Sequence, residues 1–486
     1  MNPMKILMIS PEVAPFAKVG GLGDVLGSLP KALEKLGCEI RIVMPKYSFL
    51  DEQKYHMVKT PIQFELPMGD RRYQVEVFEA TMPDSHIKVF FISHPDFFHG
   101  QSAYAHDHKE YAWLFLSLGA LFFLKACKWK PDVIHCHDSF SGLVPMKLHQ
   151  LAGADPFFRH IATALTIHNL AHQGDTDPHV LSLADIDPRH IPSISQDMQD
   201  NDIDMLYEGV AHADVVNTVS PSYAKEIMTK EYGEGMEDLL MKRKDRLFGI
   251  LNGIDDTLFD PERDEGILAR YSVKNILPRA QNKLALQKKV KFAEDQRTPL
   301  LGIVTRLATQ KGIDFVLEYI QRIQELHARL VVLGTGDSAL EEQLTAAARN
   351  FPDHIRVFLT FDLKLASEIY AGCDLFLVPS RYEPCGLTQM IAMRYGCVPI
   401  ARETGGLKDT IIDYTENPAQ STGFLFQEKT SKALYDTIER AIGVYRDSPP
   451  IWEELMMRGM KQDFSWDIRA NEYVALYKKA IAAEKE

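Results

Sequence analysis

The stretch Asp374-Leu375-Phe376-Leu377-Val378-Pro379-Ser380-Arg381-Tyr382-Glu383-Pro384-Cys385-Gly386-Leu387-Thr388-Gln389 decides the fold class. Its apolar run, Asp374 to Val378, predicts a short buried strand, and Gly386 to Tyr395 predicts a helix. One carboxylate, Glu383, stands in the loop between them. Open parallel sheets bind ligands at the C-terminal ends of their strands. A Glu-Pro pair is also an ordinary turn, so the weight of this loop depends on what surrounds it.

Working outward, strand and helix patterns alternate on both sides of the stretch. Strands are predicted at Leu300 to Thr305, Arg329 to Leu333, Ile355 to Leu359 and Val398 to Ala401, and helices at Gly312 to Leu326, Ser338 to Phe351 and Ala366 to Ala371. The N-terminal half shows the same grammar. A strand at Ile6 to Ser10, a glycine loop, a helix at Asp24 to Leu36 closed by Gly37, and a strand at Glu39 to Met44 make one βαβ unit. Further strands are predicted at Lys88 to Ile92, Asp132 to Cys136, Ala162 to Ile167 and Val215 to Val219. The fold class is therefore α/β, with two Rossmann-like domains facing each other across a cleft. The expected boundaries are 1–252, 253–465, and a C-terminal helix within 466–486 packing back on the first domain.

At 486 residues the chain exceeds one ordinary core. A net charge of −13 excludes the basic footprint of a nucleic-acid or anionic-membrane binder, so a phosphate must be met by a few local cations. The six cysteines, Cys38, Cys127, Cys136, Cys373, Cys385 and Cys397, form no CxxC pair and fit reduced thiols in a cytoplasmic protein. Met1-Asn2-Pro3 enters a strand directly, without a signal peptide. The longest apolar run, Ala112 to Leu124, falls short of the ~20 residues of a membrane span and predicts a buried helix.

Three loops at strand ends suit an anion. Lys18-Val19-Gly20-Gly21-Leu22-Gly23-Asp24 combines a cation with glycines that let backbone approach a ligand, yet lacks the spacing of a dinucleotide site or a P-loop. Thr305 to Gly312 carries Arg306 and Lys311, a planar donor and a mobile point charge suited to a leaving diphosphate. Thr404-Gly405-Gly406-Leu407 places backbone N–H groups at a helix start. In the first domain, His135-Cys136-His137-Asp138 and Thr166-Ile167-His168-Asn169 each end a strand. For Asp138 and His168, sugar contact and strand-end capping both stand. His135 reads as a core histidine rather than a metal ligand. The aromatic residues Phe97, Phe98, Tyr104, Tyr111, Trp113, Phe115, Phe122 and Phe123 read mostly as core, and Asp197 to Asp204 as a solvated acidic surface.

The motifs KVGGLGDV, HCHD, TIHNLAHQG, GILNGID, TRLATQKGID, PSRYEPCGLTQ, TGGLKDT and QDFSWD, in this order, closely resemble the bacterial glycogen synthase and plant starch synthase family, from Lys5 to about Tyr477. The resemblance implies the GT-B architecture and retaining transfer of glucose from ADP-glucose to the 4-hydroxyl at the non-reducing end of an α-1,4-glucan. It implies that Lys18, Gly20 and Gly21 bind the donor's phosphate and glucose, and that Arg306 and Lys311 stabilise the departing diphosphate. Glu383 would hold the donor glucose or support charge at its anomeric carbon, with Cys385, Gly386, Leu387, Thr404, Gly405 and Gly406 lining that pocket. Asp138 and His168 would contact the sugar. No metal or other cofactor is implied, and the partners are ADP-glucose and the glucan, with no nucleic acid and no membrane.

The chain departs from the family pattern at Ser139 and Phe140, which stand for tryptophan and histidine. It departs again at Asp204-Met205-Leu206-Tyr207-Glu208-Gly209, which stands for Asn-Phe-Leu-Lys-Gly-Gly, and at His172, which stands for tyrosine. Two alternatives follow: a related transferase using UDP-glucose or another acceptor, and a non-catalytic glucan-binding protein.

Overall fold

The computed structural model describes residues 3–100, 102–104 and 109–485. Met1 and Asn2, where the leaderless start was read, lie outside the described residues, as does Glu486. The chain divides into two compact units, Met1–Gly253 with Trp466–Glu486, and Ile254–Ser465.

The first unit holds β1 (Lys5–Ile9), β2 (Glu39–Pro45), β3 (Val58–Met68), β4 (Arg71–Thr81), β5 (Lys88–Ser93), β6 (Val133–His137), β7 (Ala162–Ile167), the short strands β8 (Asp175–Thr176) and β9 (Ile203–Asp204), β10 (Val215–Thr218) and β11 (Leu247–Gly249). Nine of them make one sheet in the order β11-β10-β7-β6-β1-β2-β5-β4-β3, while β8 and β9 pair separately. From β11 to β5 the pairing is parallel. Strands β6 and β7 are buried at every position, which explains why they read as continuous apolar runs.

The antiparallel edge β3–β4 escaped the apolar-run reading because only alternate residues of β3, from Thr60 to Met68, turn inward. Pro61 and Pro67 lie in β3, where an edge strand tolerates a missing N–H. Helix Lys109–Ala126 carries the long apolar run, with Leu114, Phe115, Leu121 and Phe123 fully buried. No helix among the described residues is long and apolar enough to cross a membrane. Helix Trp466–Ala483 lies on this unit, and its Tyr477 hydroxyl meets His135 Nδ1 at 2.9 Å.

The second unit is a six-stranded parallel sheet, β12 (Leu300–Val304), β13 (Arg329–Leu333), β14 (Ile355–Phe358), β15 (Leu375–Val378), β16 (Val398–Arg402) and β17 (Phe424–Phe426), in the order β14-β13-β12-β15-β16-β17.

Four helices differ from the sequence expectation, among them the one expected at Ala366 to Ala371, which starts three residues earlier at Leu363 behind the Asp362 cap. The first helix begins at Gly21, not Asp24, because the loop glycines already take helical backbone. The helix expected over 312–326 is two short ones, Ile313–Glu318 and Arg322–Glu325. The helix expected from Gly386 starts at Thr388, because Gly386 is left-handed, with φ of 72°.

Candidate active site

In the second sheet the chain runs outward from β12 through β13 to β14, then returns to β15 beside β12. The strand order reverses between β12 and β15, and the crevice at such a switch point is where open α/β sheets bind ligands. The loops leaving these two strands carry Lys311 and Glu383. Lys311 Nζ lies 2.9 and 2.7 Å from the two carboxylate oxygens of Glu383, and Ser380 Oγ donates to Oε2 at 2.8 Å. Glu383 is only 6% exposed.

Sequence distance hides how tightly these loops are joined. Gly312 has φ of 66°, and a Cβ there would overlap the carbonyl oxygen of Pro379. The Arg381 guanidinium donates to both carboxylate oxygens of Asp314, at 2.6 and 2.5 Å. Buried Arg402 donates through Nε to the Ser380 carbonyl at 3.0 Å, and through Nη2 to that of Arg381. Ser380, Arg381 and Gln389 lie within the stretch from Asp374 to Gln389, yet their roles depend on partners that only the fold supplies.

The Thr404-Gly405-Gly406 turn reaches the same loop through its backbone. Gly405 has φ of 45°. A Cβ on Gly405 would overlap the Glu383 carbonyl oxygen, and one on Gly406 that of Cys385. The Gly406 N–H is spent on the carbonyls of Glu383 and Pro384, at 3.1 and 3.2 Å, so it is not an open anion donor in this state. Gln389 Nε2 ties the Cys385 and Gly386 carbonyls to Thr410 Oγ1. Cys385 and Thr404 are buried, and Leu387 is half-buried. Arg306 stands apart, exposed at the end of β12, with no side-chain partner among the described residues.

In the first sheet the order reverses between β1 and β6. After β1, the carboxylate of Glu12, only 2% exposed, accepts the N–H groups of Val19 and Gly20 at 2.5 and 2.9 Å and the Tyr104 hydroxyl. This internal anion thus occupies the Gly20 N–H that the sequence reading offered to a phosphate. Lys18 pairs with Asp24 at 2.6 Å, and Gly21 is exposed at the helix start.

After β6, Asp138 takes φ of 52°, strain of the kind held at functional sites. Its N–H bonds the Thr166 carbonyl, and its carboxylate accepts the His168 N–H at 2.7 Å. Burial, with the Glu12 carboxylate adding to it, pushes the Asp138 carboxyl up to about 7, against two backbone hydrogen bonds that lower it. Burial pulls His168 down to about 3, so its ring is a neutral hydrogen-bonding group at neutral pH. His168 Nε2 meets His137 Nδ1 at 3.0 Å, and His137 Nε2 has no partner among the described residues. His135 is the core histidine, bonded to Thr166 Oγ1 at 2.6 Å and to Tyr477.

The acidic stretch before the departure at Asp204 to Gly209 is a correction to the sequence expectation. Asp197 to Asp204 is not simply solvated surface, because Asp197 is 8% exposed. It accepts the Asp204 N–H and faces the fully buried Glu208, whose Oε2 meets Ser193 Oγ at 2.7 Å and His212 Nε2 at 3.3 Å. Glu208 Oε1 has no hydrogen-bond donor among the described residues, and a proton held by the neighbouring Asp197 carboxyl would supply one. Burial, then the charges of Glu208 and Asp204, push Asp197 up to about 8.

A folded-state pKa above the unfolded value of 3.8 gives stability that is complete below that value and lost as pH rises through about 8. We predict that Asp197→Asn, whose amide can donate to Glu208, matches the unaltered chain at pH 5. At pH 9 it should gain on the order of 1 kcal/mol after solvent screening, about 2–4 °C in Tm. Equal melting temperatures at pH 9 would refute the shared proton.

Residues 5–242 match the family model of the starch synthase catalytic domain, and residues 286–444 that of glycosyl transferases group 1. The chain is 38% identical over 479 residues to a glycogen synthase of Thermosipho melanesiensis, covering 99% of each chain. It is 39% identical to one of Moorella thermoacetica, covering 99% of this chain and 97% of that one. The catalytic domain of starch synthase IV from Arabidopsis thaliana, bound to ADP and acarbose, superimposes with a TM-score of 0.91 at 32% identity, over 99% of this chain and 100% of that one. A sucrose-phosphate synthase from Thermosynechococcus elongatus shares the fold, with a TM-score of 0.62 at 19% identity. With relatives of this identity along its whole length, and a lysine–glutamate pair built into its second sheet, the chain belongs to the glycogen and starch synthase family of glycosyltransferases.

Proposed function

We propose that the protein transfers glucose from ADP-glucose to the 4-hydroxyl at the non-reducing end of an α-1,4-glucan, with retention of configuration. The observation that carries this reading is the Lys311–Glu383 pair at the switch point of the second sheet. A lysine ammonium has three N–H donors. Two meet Glu383, which leaves the third for a diphosphate oxygen, and exposed Arg306 adds a planar pair of donors. The ADP in the starch synthase relative supports the nucleotide.

In the proposed step the bond from the anomeric carbon to the diphosphate oxygen breaks as the bond to the acceptor oxygen forms on the same face. The acceptor's proton passes to the leaving diphosphate. Lys311 and Arg306 stabilise the charge on the leaving group, and Glu383 offsets the positive charge developing at the anomeric carbon. Neutral His168 can exchange hydrogen bonds with sugar hydroxyls without a net charge to desolvate, and partly protonated Asp138 can accept or donate. Lys18, with Gly21 beside it, serves the donor's phosphate and glucose. Gly20 contributes only if its N–H leaves Glu12. The six free cysteines support a reducing, cytoplasmic setting.

Release of ADP against UDP from each nucleotide-glucose, with and without glycogen, tests the reading. The expected result is glycogen-dependent ADP release from ADP-glucose. Release from UDP-glucose alone would replace the donor. No glycogen-dependent release from either would move the acceptor assignment to the departures at Ser139, Phe140, Tyr207, Glu208 and His172.

A further inference from the structure

We propose that Arg381, through its bidentate ion pair with Asp314, is a positioning residue that sets the Lys311–Glu383 contact. The proposal rests on the reading of Lys311 as the cation that meets the donor's diphosphate. Lys311 and Glu383 sit on separate loops, 72 residues apart in the chain, and one flexible lysine cannot hold two loops in register by itself. The Arg381–Asp314 pair is a second rung beside the first, three residues beyond Lys311 on one loop and two before Glu383 on the other.

The backbone N–H and both terminal guanidinium nitrogens of Arg381 engage the Lys311 loop and the helix that follows it. Its N–H donates to the Gln310 carbonyl at 2.8 Å, its Nη1 to the Thr309 carbonyl at 2.8 Å, and both terminal nitrogens reach Asp314. The guanidinium lies 4.1 Å from the ring centre of Phe315. In return, Gln310 Nε2 donates to the Tyr382 carbonyl at 3.3 Å. The guanidinium holds the Asp314 carboxyl below the usual carboxylate range. Planar, two-point bonding fixes orientation as well as distance, and an error of about 1 Å in a reacting group costs on the order of 100-fold in rate.

The test is a double-mutant cycle on the full chain with Arg381→Gln, Lys311→Ala and the double variant. The readouts are kcat for glycogen-dependent ADP release and the Kd of ADP by calorimetry, which still reports when turnover is slow. In the unaltered background, Arg381→Gln should lower kcat about 10- to 30-fold and leave the KM for glycogen unchanged; in the Lys311→Ala background it should cost less than about threefold. ADP affinity should show the same non-additivity. Asp314→Asn should repeat the pattern, and it replaces Arg381→Gln if that variant does not fold. Equal factors in both backgrounds would overturn the positioning role, because a merely structural contribution adds. A Lys311→Ala variant with normal turnover and normal ADP affinity would refute the reading of Lys311 itself, and the proposal with it.

Discussion

Glu383→Gln is expected to lower kcat by about 100- to 1,000-fold, the scale of removing one preorganised electrostatic group from an active site. The substitution keeps the shape but exchanges one of the two acceptor oxygens for an NH2 donor. The glutamine oxygen can still accept from Lys311 or Ser380, which now bond the carboxylate at 2.7–2.9 Å, so the fold survives. What disappears, on the proposed reading, is the negative charge that meets the positive charge of the transition state. A loss in kcat with little change in the affinity for ADP would mark an interaction made in the transition state alone. A folded variant retaining kcat within about threefold of the unaltered enzyme would sink the assignment of Glu383, because no preorganised charge is worth so little.

Gly405→Ala should disable the same loop by a different route. A Cβ at position 405 would overlap the carbonyl oxygen of Glu383, and the residue is held at φ of 45°, so neither the backbone nor the neighbour leaves room for alanine. The opposing atom is main chain, which cannot rotate aside as a side chain would. Relief requires either the turn into helix Gly405–Thr410 or the Glu383 loop to move. We expect a loss of about 3–5 kcal/mol in stability, in the range of exceptional single substitutions, together with loss of turnover. A melting temperature within about 2 °C of the unaltered chain, where 1 kcal/mol shifts a domain of this size by about 2–4 °C, would show that the loop is not locked as described. The contrast is diagnostic. Glu383→Gln separates activity from stability, whereas Gly405→Ala removes both.

Much of this molecule is legible in its primary structure, for specific reasons. Strands such as Ala162–Ile167 and Arg329–Leu333 are covered on both faces in a parallel sheet, so every residue must be apolar or internally bonded, and a continuous run betrays them. Loops at their C-terminal ends follow from the same pattern, which is why Lys18, Asp138, His168, Arg306, Lys311, Glu383 and the Gly405-Gly406 turn all surfaced as candidates. Helix ends were harder. Their limits depend on single residues such as Gly386, whose left-handed backbone delays the helix to Thr388, and on carbonyl partners that lie far away in sequence. The β3–β4 edge was lost because half of its residues face solvent, diluting the signal that marks buried strands.

The chain by itself determined that there are two α/β units with parallel strands at their centres and that cations, glycines and carboxylates gather at the strand ends, because hydrophobic periodicity and turn chemistry are local properties written residue by residue. Only the tertiary structure decided which of those groups meet. Strand order brings Lys311 to Glu383 and Arg381 to Asp314. The folded loops spend the Gly20 and Gly406 N–H groups on Glu12 and on the Glu383 loop, and the packing of two short helices buries Asp197 against Glu208 in a segment whose composition reads as solvated. The pairs across the second sheet join residues 72 and 67 apart in the chain, and the closer contacts still depend on the folded backbone and on desolvation, which no residue carries by itself.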